Sequence, residues 1–120
     1  MLLRLFEDAD GNSRFDYLEQ QFTLHDDSPP EVPHYFTGPI EAKSYVFVRC
    51  PVGWGGRLHP TPRRQIVVCT SGALRLTSST GEEKYLRPGM SVLLEDTKGK
   101  GHVSQVISEE AFEALIVRLE

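Results

Sequence analysis

Short runs of apolar or alternating residues recur along the chain, each bounded by Gly, Pro or Asp. They are LLRLF (2–6), SYVFVRC (44–50), QIVVCT (65–70), ALRLTSS (73–79), EKYL (83–86), SVLLED (91–96), HVSQVI (102–107) and FEALIVRL (112–119). A period of two over four to eight residues predicts half-buried strands. Turns are expected at Ser71-Gly72, Thr80-Gly81, Pro88-Gly89 and from Lys98 to Gly101, a spacing of about ten residues that suits a sandwich or barrel. RFDYLEQQFTL (14–24) reads as another strand, joined to 2–6 by a hairpin across EDADGNS. SPPEVPHYFTGP (28–39) carries four prolines and is expected as an extended surface segment, lying against this domain or a partner subunit. PVGWGG (51–56) reads as a Gly-rich bend. No amphipathic helix longer than two turns is evident, so the predicted class is all-β.

At 120 residues one core in one domain is expected over 1–120, with residues 1–43 as hairpin and Pro-rich arm and 44–120 as barrel. The net charge of −4 argues against a nucleic-acid partner. No apolar run approaches the length of a membrane span, and MLLRLFEDADG lacks the apolar segment of a signal peptide. Cys50 and Cys69 lie far apart in strand-like runs, and no CxxC pair exists. They are expected as free thiols in a cytoplasmic protein. DADGN (8–12) is similar to the start of a calcium loop, but aligning Gly11 on the loop glycine puts Phe6 and Tyr17 where acidic ligands belong.

Between Gly53 and His102 the spacing takes on a recognisable form. Gly53, His59, Gln65 and Gly72 stand where G-x5-H-x-H-x3-4-E-x6-G has its first Gly, first His, Glu and last Gly, with Thr61 at the second His. Pro88-Gly89 matches the turn of a second motif, G-x5-P-x-G-x2-H-x3-N, whose histidine corresponds to His102 after a longer TKGKG loop. The stretch resembles the cupin superfamily, whose fold is a small β-barrel of jelly-roll type. With HPTPRRQ (59–65) and EDTKGKGH (95–102), the chain is most similar to small stand-alone cupins of undefined activity. The resemblance implies a homodimer, and a divalent transition metal (Fe, Mn, Ni or Zn) on His59, Gln65 and His102, or no metal where the acidic ligand has become an amide.

The residues themselves support a narrower chemistry. In an unbroken strand His59, Thr61, Arg63 and Gln65 would share the interior face, although a bulge at Pro60 or Pro62 would flip the register. Two imidazoles and a neutral amide hold a metal weakly, and Asp96 or a ligand carboxylate is the candidate replacement for the missing charge. Trp54, in a glycine-flanked loop, is the expected aromatic wall of a pocket; Tyr45 and Tyr35 are alternatives, with Tyr45 and Phe47 better placed as core residues. Arg57, Arg63 or Arg64 would meet a ligand carboxylate, Arg63 foremost by parity. His59 and His102 are the acid–base candidates; His25 and His34 lie in the N-terminal segment. The expected function is binding of a small anionic or aromatic molecule by Trp54, Thr61, Arg63, Tyr45 and Asp96. The alternative is a metal-dependent enzyme of isomerase, dioxygenase or decarboxylase type using His59, Gln65 and His102.

Overall fold

The computed structural model describes residues 1–26 and 32–120. Among these residues twelve strands form: β1 (Leu2–Glu7), β2 (Ser13–Leu18), β3 (Thr23–His25), β4 (His34–Phe36), β5 (Ser44–Cys50), β6 (Gly55–His59), β7 (Gln65–Ser71), β8 (Leu74–Ser78), β9 (Glu83–Leu86), β10 (Ser91–Leu94), β11 (His102–Val106) and β12 (Phe112–Arg118). They make a six-stranded sheet, β2-β1-β10-β7-β12-β5, a four-stranded sheet, β6-β11-β8-β9, and the separate ribbon β3-β4. The all-β expectation holds. No helix among the described residues is long and apolar enough to cross a membrane.

Alternation explains how the two larger sheets meet. Leu3 and Leu5 on β1, Val67 and Cys69 on β7, and Val92 and Leu94 on β10 join Leu74 and Leu76 on β8 and Val106 on β11 in one buried cluster. Leu5, Leu86 and Val92 are completely buried; each such side chain removes apolar surface worth about 1.5–3 kcal/mol from water.

From β5 onward the chain changes sheet at most of its connections, so several predicted turns are corners between layers. The Ser71-Gly72 corner shows why glycine is needed. Gly72 has φ 74°, and a Cβ there would overlap the carbonyl oxygen of Ala111 and the Cα of Phe112. Gly72→Val is therefore expected to lower stability by about 1–3 kcal/mol. A thermal melt checks this, and an unchanged melting temperature would mean the corner accepts a side chain.

Four sequence expectations need correcting. The hairpin of residues 2–18 is not an appendage of a barrel beginning at 44, because β1 pairs in parallel with β10, Leu3 opposite Val92 and Leu5 opposite Leu94. Local alternation carries no signal for that distant pairing. RFDYLEQQFTL is not one strand: β2 stops at Leu18, and β3 belongs to the separate ribbon. The polar run Glu19-Gln20-Gln21 has no apolar member to hold it to the core. Gly55 and Gly56, expected within a bend, begin strand β6. Finally, Tyr45 and Phe47, expected as core residues, are 69% and 72% exposed. β5 is an edge strand, and it is Val48 and Cys50, on its other face, that pack against the core. Of the Pro-rich segment, 28–31 lie outside the described residues, and His34–Phe36 pairs with β3.

Candidate functional site

The stretch from His59 to Gln65 is not one strand. β6 ends at His59, β7 begins at Gln65, and the two belong to opposite sheets, so residues 60–64 cross between layers. Pro60 and Pro62 have no N–H for a ladder, and between them the Thr61 N–H donates to the Asp96 carbonyl oxygen at 3.0 Å. Thr61 is buried there, whereas Arg63 is exposed and does not line the cavity between the sheets. Parity, which placed Arg63 inside, fails because the strand is broken.

The crossing brings His59 opposite His102 in the β6–β11 register. Gly101 permits this approach. It has φ 82°, and a Cβ would overlap the backbone carbonyl of His59 and the nitrogen of Pro60. The two imidazole centroids lie 5.7 Å apart at a tilt of 48°.

Behind His102 sits a fully buried carboxylate. Asp96 Oδ2 accepts a hydrogen bond from His102 Nδ1 at 2.6 Å, and Asp96 Oδ1 accepts one from the Thr61 hydroxyl at 2.7 Å. His59 Nδ1 lies 2.9 Å from the Pro60 carbonyl oxygen, which can only accept. Each ring therefore donates from Nδ1, and in the neutral imidazole Nε2 is then the acceptor. Both rings line a cavity of about 130 Å³ between the sheets, walled by Val67, Leu76, Val92, Leu94 and Phe112 among others. Gln65 and Ser104 line it too, each only 9% exposed. Neither side chain makes a hydrogen bond to a described residue, and neither leaves a polar atom sealed from solvent without a partner. Cys50 completes one side, and burial raises the pKa of its thiol and that of Cys69, which favours the unreactive form.

The structure thus gathers His59, Thr61, Gln65, His102 and Trp54 around one cavity. It places Asp96 behind His102 and not on the cavity wall. Tyr45 lies elsewhere, on a surface groove with Phe47, Leu115 and Val117, and Tyr35 is exposed on the β3-β4 ribbon. Ser104 is the site residue that sequence reasoning missed. It is two positions after His102 on the same strand, so period two was the available signal.

The donor set falls short of what a divalent metal needs. His59, His102 and the neutral Gln65 line the cavity, while both Asp96 oxygens accept hydrogen bonds from Thr61 and His102. Among the described residues no three His, Cys, Asp or Glu side chains group as a metal site. Nothing there supplies the negative charge of a two-His-one-carboxylate centre.

Comparison with solved structures bears on the fold. The cupin domain of Schizosaccharomyces pombe Cnp3 matches with a TM-score of 0.52 at 12% identity, covering 90% of this chain and 73% of that one. A protein of unknown function from Rhizobium leguminosarum bv. viciae 3841 matches with a TM-score of 0.52 at 18% identity, covering 63% of this chain and 69% of that one. No family model and no curated protein matches the chain. At these identities the likeness is one of fold: the chain has an all-β, cupin-like architecture.

Proposed function

We propose that this cupin-like chain binds a small organic molecule in the cavity between its sheets, held by hydrogen bonds to the free Nε2 atoms of His59 and His102. The observation that carries the reading is the gathering of His59, His102 and Gln65 on the wall of one otherwise largely apolar cavity. A ligand that pairs these polar groups gains hydrogen bonds worth about 0.5–1.5 kcal/mol each, together with the burial of its apolar body against the walls. The volume suits a compact body of about six heavy atoms, since a dry cavity of about 150 Å³ accepts benzene. Because both Nε2 atoms accept, the favoured ligand brings a donor, an O–H or N–H, on that compact body.

The Asp96–His102 pair supports a second reading, an enzyme. A carboxylate that fixes the imidazole tautomer and orientation leaves Nε2 placed to take a proton from a bound molecule. The metal-dependent form of that reading is weaker here, because the cavity lacks a charged donor.

Phenol and fluorobenzene test the binding reading, being nearly equal in size and differing in one O–H. Phenol should raise the melting temperature of the wild type in a concentration-dependent way and change the fluorescence of Trp54, the single tryptophan. Fluorobenzene should do so less, and His102→Phe, which keeps a ring without nitrogen, should lose the difference. Equal responses to both compounds, or none to phenol at millimolar concentration, would refute it.

A further inference from the structure

The cavity has an outer neighbour that extends the site. A larger recess of about 540 Å³ is lined by Trp54, Gly55, Arg57, His59 and Ser104. Trp54, His59 and Ser104 also line the inner cavity, so the two spaces share one boundary. They meet where β5 and β6 form the free edges of their sheets, joined by the loop that holds Trp54.

Among the described residues Arg57 is the only charged one lining this outer recess, as distinct from the titratable His59. It stands two positions before His59 on β6, beside a register shift in the β6–β11 ladder, and both residues line the recess. Arg4, Arg14, Arg49, Arg64 and Arg75 each pair with a carboxylate. Arg57 has no ion-pair or hydrogen-bond partner among the described residues. A solvated surface arginine needs none, but this one lines a recess that adjoins an apolar chamber, and among the described residues no acidic residue lines the recess with it. A guanidinium so placed attracts an anion and binds a carboxylate with two parallel hydrogen bonds.

We infer that the two spaces form one bipartite site for a small organic monocarboxylate, with its compact apolar body in the inner cavity and its carboxylate in the outer recess against Arg57. This inference rests on the proposed binding function and names the class of ligand. It also divides the work. His59, His102 and Gln65 pair with polar groups on the inner body, and Arg57 selects for the acid over its neutral analogue.

Phenol, 3-hydroxybenzoate and 4-hydroxybenzoate separate this inference from the reading it rests on, because the acids are phenol plus a carboxylate. Affinity is measured by Trp54 fluorescence titration, with calorimetry as the check. At least one of the two acids should bind the wild type about tenfold or more tighter than phenol, the effect of one charge-assisted contact. Arg57→Gln should remove that advantage and leave phenol binding unchanged, and the advantage should shrink as salt is raised. Arg57 is exposed, so this variant should fold; its melting temperature without ligand verifies that. Phenol binding with no gain from either acid, or a gain that survives Arg57→Gln, would overturn the inference and leave the binding function standing. No binding of phenol or of either acid would overturn both.

Discussion

Asp96→Ala should destabilise the protein by about 3–5 kcal/mol, the cost of breaking a buried polar pair whose partners cannot reach water. Asp96 is fully buried, and its two oxygens accept from His102 Nδ1 and from the Thr61 hydroxyl. Removing the carboxylate strands both donors inside the protein and leaves a void beside the backbone bond from Thr61 to residue 96. Denaturant unfolding of wild type and variant measures the loss. Asp96→Asn should cost less, because its oxygen still accepts from His102 while its amide donates to Thr61. The same series reports on function. In the wild type, long-range proton–nitrogen spectra should show His102 protonated on Nδ1, and Asp96→Ala should move that proton toward Nε2 and weaken phenol binding. A change of less than about 0.5 kcal/mol, the range of ordinary surface substitutions, would show that the buried pair is not a structural anchor.

Gln65→Glu should also be costly, and for a different reason. It is isosteric, but it puts a carboxylate on the wall of a cavity shared with Val67, Leu94 and other apolar groups, at a residue only 9% exposed. Desolvation of a buried acid amounts to about 3 kcal/mol when its pKa is displaced by about two units. The variant should therefore melt well below the wild type at neutral pH. The loss should shrink as the pH falls through the raised carboxyl pKa, because the protonated acid is an uncharged mimic of the amide.

Metal titration accompanies this experiment. Manganese, iron, nickel and zinc should leave the wild-type melting temperature and calorimetric baseline unchanged, since two imidazoles and an amide lack the charged donor of a stable centre. Stoichiometric uptake of any of the four by the wild type, abolished by His102→Ala, would instead establish the metal reading. Rescue of Gln65→Glu alone by metal would identify the missing carboxylate as what separates this site from a metal centre.

Much of the barrel was legible because half-buried strands announce themselves by period two. The runs at 44–50, 65–70, 73–79, 83–86, 91–96, 102–107 and 112–119 all correspond to strands, with boundaries shifted by no more than a few residues. His59, Gln65 and His102 were legible as a group through motif spacing, and the cavity does collect them. Trp54 was legible from its glycine-rich setting, which offered it little core to fill.

What the sequence by itself determined, then, was the strand pattern, the glycine corners, and the identity of the polar residues available to a site. Those properties follow from local sterics and from the alternation of side chains along a strand, which need only neighbouring residues. Only the tertiary structure decided which sheet each strand joined, because hydrogen-bonded partners such as β1 and β10 are set by long-range packing. It also decided that Asp96 orients His102 instead of reaching the cavity. Two prolines break the strand that would have carried Arg63 inward, and it is Arg57, on β6 before the break, that lines the outer recess. A parity argument survives only while the backbone stays extended. Between His59 and Gln65 the chain changes sheet, and from there the direction of each side chain depends on the opposite layer.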